Sequence, residues 1–249
     1  MTCELRLIPK NSEILKRRRD LADVILLPGL LCDRRLWAAS AQGLPGALIP
    51  DFTECDTIPE MADTVLSRAP QQFALAGFSL GGCVALEVLA RAPLRVRRLA
   101  LLSSAVHGLP EQVRQHYLQA IPIIESGGLR EYLTDAFPRY VAPARVQDRA
   151  LRELFIAMGE DLGPTVAVRQ MRALLGYPGY GGDLDAIRCP VKVVGGAEDR
   201  RATPQSHADL ARQIPGAVLT IIEGAGHFTP LEAPEAVKET LLWLVEHRL

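Results

Sequence analysis

The sequence predicts an α/β fold, a doubly wound and mostly parallel sheet with a helical segment inserted into it. Three observations carry this reading. Short apolar runs recur with helical stretches between them, the pattern of repeated βα units. A serine flanked by glycines stands where one of those runs turns into a helix. Between Ser103 and Val191 the strand-like runs stop while helical periodicity continues.

At the N-terminus only Cys3 to Pro9 alternates like a strand, and Lys10 to Asp20 is polar and basic. The strands expected after that lie near Val24–Leu27, Ala47–Ile49, Phe73–Ala76, Leu99–Leu102, Val191–Val194 and Val218–Ile222. Such continuous apolar runs suit strands covered on both faces. Helices are expected over Asp33 to Gln42, Pro59 to Arg68, Leu80 to Arg91, Thr203 to Gln213 and Pro234 to His247. Within the strand-free interval four apolar stripes have helical spacing. They are Val113, Tyr117, Ile121 and Ile124; then Leu129, Tyr132 and Leu133; then Leu151, Leu154, Phe155 and Met158; and, after Gly163-Pro164, Val166, Met171, Leu174 and Leu175. Residues 1–106 and 183–249 are therefore expected to form the core, with 107–182 inserted as a helical cap.

The chemistry centres on Gly77-Phe78-Ser79-Leu80-Gly81, between the apolar run ending at Ala76 and the helix that follows. A G-x-S-x-G pentapeptide in that setting reads as a nucleophile elbow, with the serine hydroxyl held outward on a strained turn. A serine hydroxyl needs a base, and the base needs an orienting acid. On such a sheet they follow in the order Ser, Asp or Glu, His. Of the five histidines, His227 fits, in a loop directly after the run Ala217 to Ile222. His207 and His247 fall in expected helices and read as solvated, His116 as a surface residue, and His107 as too early, although it can line a pocket. Asp199, in the loop after Val191–Val194, is the favoured acid over its neighbour Glu198. Asp183 and Asp185 precede that strand, at the wrong end of the sheet.

An oxyanion hole needs two backbone N–H donors. The expected ones are Leu80, after the serine, and Leu30, in the Pro28-Gly29-Leu30 loop after the first central strand. Leu31 and Phe78 are the expected pocket residues, and Cys32 stands beside them. Arg130, Arg139, Arg145 and Arg152 are basic residues of the inserted segment that can be imagined on a distal carboxylate, against the plainer reading that they are solvated.

The elbow at Ser79, the Pro28-Gly29-Leu30 loop, Asp199 and the Gly226-His227 loop together resemble the α/β-hydrolase superfamily, from about Asp23 to the C-terminus. Within it the chain is similar to small, cofactor-free carboxylesterases and lactonases with a short helical cap. The resemblance implies Ser79 as nucleophile, His227 as base, Asp199 as orienting acid and backbone donors at Leu30 and Leu80. The implied reaction is two-step cleavage of a small to medium carboxylic ester through an acyl-enzyme, without cofactor or metal. Lactone, thioester, amide or C–C cleavage, or acyl transfer to peroxide, would use the same residues, and a non-catalytic ligand-binding protein on this scaffold is the alternative from another class. The chain departs from the family in two places: Pro28 stands where members commonly carry histidine before the glycine, and the opening strands are reduced.

Composition agrees with one globular domain. Of 249 residues 48% are hydrophobic and 23% charged, and the net charge of -1 gives no reason to expect nucleic acid or an anionic membrane as partner. The basic run Lys16-Arg17-Arg18-Arg19 is followed by Asp20 and Asp23, which argues for a solvated face and against a signal peptide. Five widely spaced cysteines without a C-x-x-C pair suggest neither zinc nor a disulfide framework, and a reducing cytoplasm is the simplest setting. The expected partner is a small-molecule substrate, and the expected state a monomer or homodimer.

Overall fold

A computed structural model describes residues 23–246, apart from Pro45 and Ala105. The run Cys3 to Pro9 and His247 lie outside the described residues. Five parallel strands form one sheet in the order β1-β2-β3-β4-β5: β1 Val24–Leu27, β2 Phe73–Phe78, β3 Val96–Leu102, β4 Val191–Gly196 and β5 Val218–Ile222. The expected strand Ala47–Ile49 is reduced to one parallel bridge, Ile25 to Leu48. That bridge flanks β1 on the side away from β2, so the chain steps outward after β1 and then returns to β2. The winding reverses between β1 and β2, the place where open α/β sheets form a ligand crevice at the carboxyl ends of their strands.

Among the described residues eight α-helices accompany the sheet. Those flanking its first half are α1 Ile58–Arg68 and α2 Leu80–Arg91. Three helices lie between β3 and β4: α3 Glu111–Glu125, α4 Leu129–Tyr140 and α5 Arg149–Gly176. The rest are α6 Pro204–Gln213, α7 Thr229–Glu232 and α8 Pro234–Val245. Both α2 and α8 pack on β2 and β3, which puts helices on both faces of the sheet. Strands β1 and β2 are accordingly buried along their whole length. The run Val218–Ile222 has a different environment from the one its apolar sequence suggests. As the edge strand it leaves Val218 and Leu219 exposed.

Local chemistry explains where several elements begin. Thr57 Oγ1 accepts the Glu60 N–H while Glu60 Oε2 accepts the Thr57 N–H, a reciprocal cap that starts α1. Thr203 caps α6, with proline in its first turn. The four apolar stripes appear as α3, α4 and the two halves of α5, which Gly163 (φ 82°, ψ 171°) divides just before Pro164. Helix is not continuous over Asp33 to Gln42. Only Arg34–Trp37 forms a 3₁₀ turn, and the chain continues through short-range turns to Leu44. Leu36 and Trp37 are fully buried there, so tertiary burial, not helical propagation, fixes this segment.

The passage from β2 to α2 is the tightest in the fold. A Cβ on Gly77 would come within 2.3 Å of the Gly81 carbonyl oxygen, and one on Gly81 within 2.3 Å of the Leu27 carbonyl oxygen. Both obstacles are backbone and cannot rotate away. Gly81→Ala is therefore expected to destabilise the protein by at least about 3 kcal/mol. Gly176→Ala, where the added methyl meets open space, should be neutral or slightly stabilising. Urea unfolding of the two variants checks this contrast.

Candidate active site

Ser79 sits between β2 and α2 with φ 52° and ψ −112°, a conformation that costs a non-glycine residue about 1–3 kcal/mol. Its N–H donates to the Leu102 carbonyl at 3.0 Å, and its own carbonyl accepts the Gly82 N–H at 2.9 Å. A serine at this position of a helix ordinarily turns its hydroxyl onto the first-turn N–H groups. Ser79 makes no such bond. Its Oγ lies 3.0 Å from His227 Nε2 instead.

His227 Nδ1 lies 2.9 Å from Asp199 Oδ2. Asp199 and His227 are buried, 2% and 4% exposed. The other carboxylate oxygen, Oδ1, accepts the N–H groups of Arg201 at 2.8 Å and Ala202 at 3.0 Å. Burial alone would push the Asp199 carboxyl up. The charge and hydrogen bond of His227, with the two backbone N–H groups, outweigh burial and hold it below the ordinary carboxylate range. An ionised carboxylate only accepts, so Nδ1 carries the imidazole proton and Nε2 is free to accept from Ser79. Glu198 is not part of this chain of bonds; its N–H pairs with the Ala225 carbonyl and helps to join the two loops.

Ser79 opens into a cavity of about 80 Å³, whose wall includes Leu30, Phe78, Leu80, His107, Tyr140 and Leu174. No hydrogen bond among the described residues takes the Leu30 N–H. Leu80 is the first residue of α2, where an N–H has no intrahelical acceptor. Leu31 is not in the cavity wall. It is buried at φ 54°, and its N–H donates to Gln170 Oε1 of α5 at 2.8 Å. Cys32 is likewise outside the wall, with its thiol donating to the Leu30 carbonyl. Cys83 does line the cavity, and burial pushes its thiol up to about 12, so it stays protonated. Among the described residues no group of three or more His, Cys, Asp or Glu side chains could hold a metal ion, and no helix is long and apolar enough to cross a membrane.

A model of the alpha/beta hydrolase family matches residues 22–240. The chain belongs to that family. A dihydrolipoyllysine-residue acetyltransferase component of an acetoin cleaving system from Pseudomonas putida is 29% identical over 86% of this chain, and the match spans 57% of that relative's length. A pimeloyl-[acyl-carrier protein] methyl ester esterase from Aromatoleum aromaticum is 26% identical over 86% of this chain and 94% of its own. Among solved structures, a thermophilic esterase from Thermogutta terrifontis superposes with a TM-score of 0.78 at 22% identity, covering 89% of this chain and 88% of that one. At that identity the likeness shows a shared fold.

Two features of this α/β hydrolase escaped the sequence reading. Glu232, at the end of the short helix α7, is buried and spans the histidine loop. Its Oε2 accepts the N–H groups of Ala142 at 2.8 Å and Gly226 at 3.1 Å, and its Oε1 accepts Phe228 N–H at 3.0 Å. The His227 N–H itself donates to the Tyr140 carbonyl at 2.8 Å. The histidine loop is thus pinned to the end of α4. The second feature is Arg201, which enters the wall of the serine cavity. Its signal was its place directly after the acid loop.

The four arginines of the inserted segment follow their plainer reading and stay out of the serine cavity, whereas His207 departs from its own. Arg130, Arg139 and Arg145 pair with Glu160, Asp135 and Asp148, and none of the three lines the serine cavity. Arg152 is exposed and also lies outside it. His207, expected in solvent, is fully buried: its Nδ1 lies 2.8 Å from the Thr203 carbonyl oxygen, and burial depresses its pKa. His116 is half-buried and stacks on Tyr132.

Removing Glu232 leaves the buried N–H groups of Ala142 and Gly226 without an acceptor and Phe228 N–H with only the Tyr140 carbonyl at 3.3 Å. Glu232→Ala is expected to cost about 3 kcal/mol or more, and Glu232→Gln, which keeps one acceptor oxygen, less. Thermal or urea unfolding ranks the two. For Asp199 the sign follows from its lowered pKa. Its stabilising contribution is complete above the unfolded value of about 3.9 and is lost as pH falls through the lower folded value. The stability advantage of the wild type over Asp199→Asn should therefore stay level from about pH 7 to about pH 5 and narrow as pH falls through about 4 and below in urea titrations.

Proposed function

We propose that this α/β hydrolase is a serine esterase that cleaves a small to medium carboxylic ester through an acyl-enzyme. The observation that carries the reading is the unbroken chain Ser79 Oγ, His227 Nε2, His227 Nδ1, Asp199 Oδ2, with steps of 3.0 and 2.9 Å, at the floor of a largely apolar cavity. In this reading His227 takes the Ser79 proton as Oγ attacks the ester carbonyl. Asp199 holds the imidazole tautomer and balances the imidazolium that forms. The Leu30 and Leu80 N–H groups bind the oxyanion. The imidazolium then protonates the leaving alcohol, and water activated by His227 releases the acid and frees Ser79. No cofactor enters the scheme.

The helices between β3 and β4 serve as the cap. Tyr117 from α3, Tyr140 from α4 and Leu174 from α5 enter the cavity wall, so the same residues that close the site also limit its size. A cavity needs about 10–15 Å³ for one water. At about 80 Å³ the space suits a short acyl or alcohol group and not a long chain.

The test is hydrolysis of p-nitrophenyl esters from acetate to laurate. Turnover should peak at short chains. Ser79→Ala should lower kcat by at least about a thousandfold, and Asp199→Asn by up to about ten-thousandfold. Turnover that survives Ser79→Ala would overturn the assignment.

A further inference from the structure

We infer that the serine cavity also holds an anion site at Arg201, and that the substrates are esters carrying a carboxylate a few carbons from the scissile carbonyl. This deepens the esterase reading and rests on it. Arg201 lines the same cavity as Ser79. Its guanidinium carbon lies 4.8 Å from the Tyr140 ring centre and 5.7 Å from that of Tyr117, and its Nη2 donates to the Tyr117 hydroxyl at 3.1 Å. Two aromatic faces and a phenol orient the group, but they supply no negative charge.

No carboxylate among the described residues forms an ion pair with Arg201; the side chain's polar partner there is Tyr117. Its neighbour in the outer groove, Arg139, has Asp135. Asp199 lies two residues away, but it accepts the Arg201 backbone N–H and spends its other oxygen on His227. A half-buried cation without a counter-ion is costly, and an incoming anion would remove that cost.

The surroundings favour the same sign. Arg201 also forms part of an adjoining groove of about 690 Å³, whose other charged or titratable wall residues are His116, Arg139 and Arg200. Among the described residues no acidic side chain lines it. Burial depresses the His116 pKa; the charges of Arg139 and Arg201 add to that and Asp135 opposes it. Such a groove draws anions toward the cavity mouth.

A carboxylate fits better than a phosphate. Among the described residues Arg201 is the one guanidinium in the cavity wall, which is otherwise mainly apolar and aromatic. A single planar fork matches a carboxylate, whereas a phosphate dianion would bring a second charge with no cation to meet it. The shared wall sets the arm length: an ester on Ser79 and an anion on Arg201 face one small cavity, so a short linker joins them. Half-esters of short dicarboxylic acids have that form.

The experiment compares matched substrates and uses binding as a second readout. kcat/KM is measured for monomethyl succinate and monomethyl glutarate against methyl butyrate and methyl valerate, for the wild type and Arg201→Met. The wild type should prefer the half-esters by about tenfold or more, the effect of one charge-assisted hydrogen bond. Arg201→Met should collapse that ratio toward one. Equal use of charged and neutral esters by the wild type, or a ratio that survives Arg201→Met, would overturn the inference. Monomethyl glutarate, methyl valerate and inorganic phosphate are also titrated calorimetrically into Ser79→Ala, with and without Arg201→Met. Arg201-dependent binding of monomethyl glutarate over methyl valerate supports the anion site even if no ester is turned over, in which case only the esterase reading falls. Binding of phosphate alone, or of none of the three, counts against it.

Discussion

The site depends on one backbone constraint, the close passage of β2, α2 and the end of β1. Three chain segments meet there at distances that exclude a Cβ at Gly77 and at Gly81. That contact turns the chain at Ser79 within a single residue and holds it at positive φ. The turn has two chemical consequences. The Ser79 hydroxyl is withheld from the helix it would normally cap and is left for His227. The same approach brings the loop after β1, with the Leu30 N–H, to the opening of α2, where the Leu80 N–H has no helical acceptor. The proposed nucleophile and oxyanion donors are thus products of one packing contact at the point where the sheet's winding reverses.

The second organising feature is the attachment of the inserted helices to the histidine loop. The end of α4 accepts the His227 N–H through the Tyr140 carbonyl, and Glu232 bridges Ala142, Gly226 and Phe228. Phe78, Tyr140, Phe155 and Phe228 surround these bonds with tilted and edge-on ring contacts at 5.3 to 6.0 Å. The imidazole is therefore oriented from two sides, by Asp199 from the sheet and by Tyr140 from the helices. Helices that share hydrogen bonds with the loop of the proposed base have little freedom to leave without disturbing it. This ties the size of the cavity to the geometry of the serine.

What was legible in the sequence is what local pattern encodes. The elbow pentapeptide, the acid and histidine loops at strand ends, the buried strands and the four apolar stripes all have short-range signatures, and the structure has them near the expected positions. What was not legible depends on distant contacts. Asp33 to Gln42 has helical composition, but burial of Leu36 and Trp37 tightens it into turns. Ala47–Ile49 looks like a strand and makes only a bridge at the edge. Leu31 seemed a pocket residue by proximity, yet Gln170, far along the chain, takes its N–H. His207 read as solvated because its helix is polar, whereas its own ring lies beneath Gly195 of β4. Glu232 and Arg201 carry no motif; their roles arise from which backbone groups and rings the fold brings to them.

Ser79 is proposed as the activated nucleophile, with His227 and Asp199 as the groups that activate it. The most direct measurement is reaction with a fluorophosphonate followed by intact-mass analysis and peptide mapping, with ester turnover followed in parallel. One adduct per chain is expected, on Ser79 and not on the buried Ser40, Ser103 or Ser104. Turnover should fall in proportion to labelling, and Asp199→Asn should label much more slowly. Labelling at another residue, or turnover that persists in fully labelled protein, would contradict the assignment.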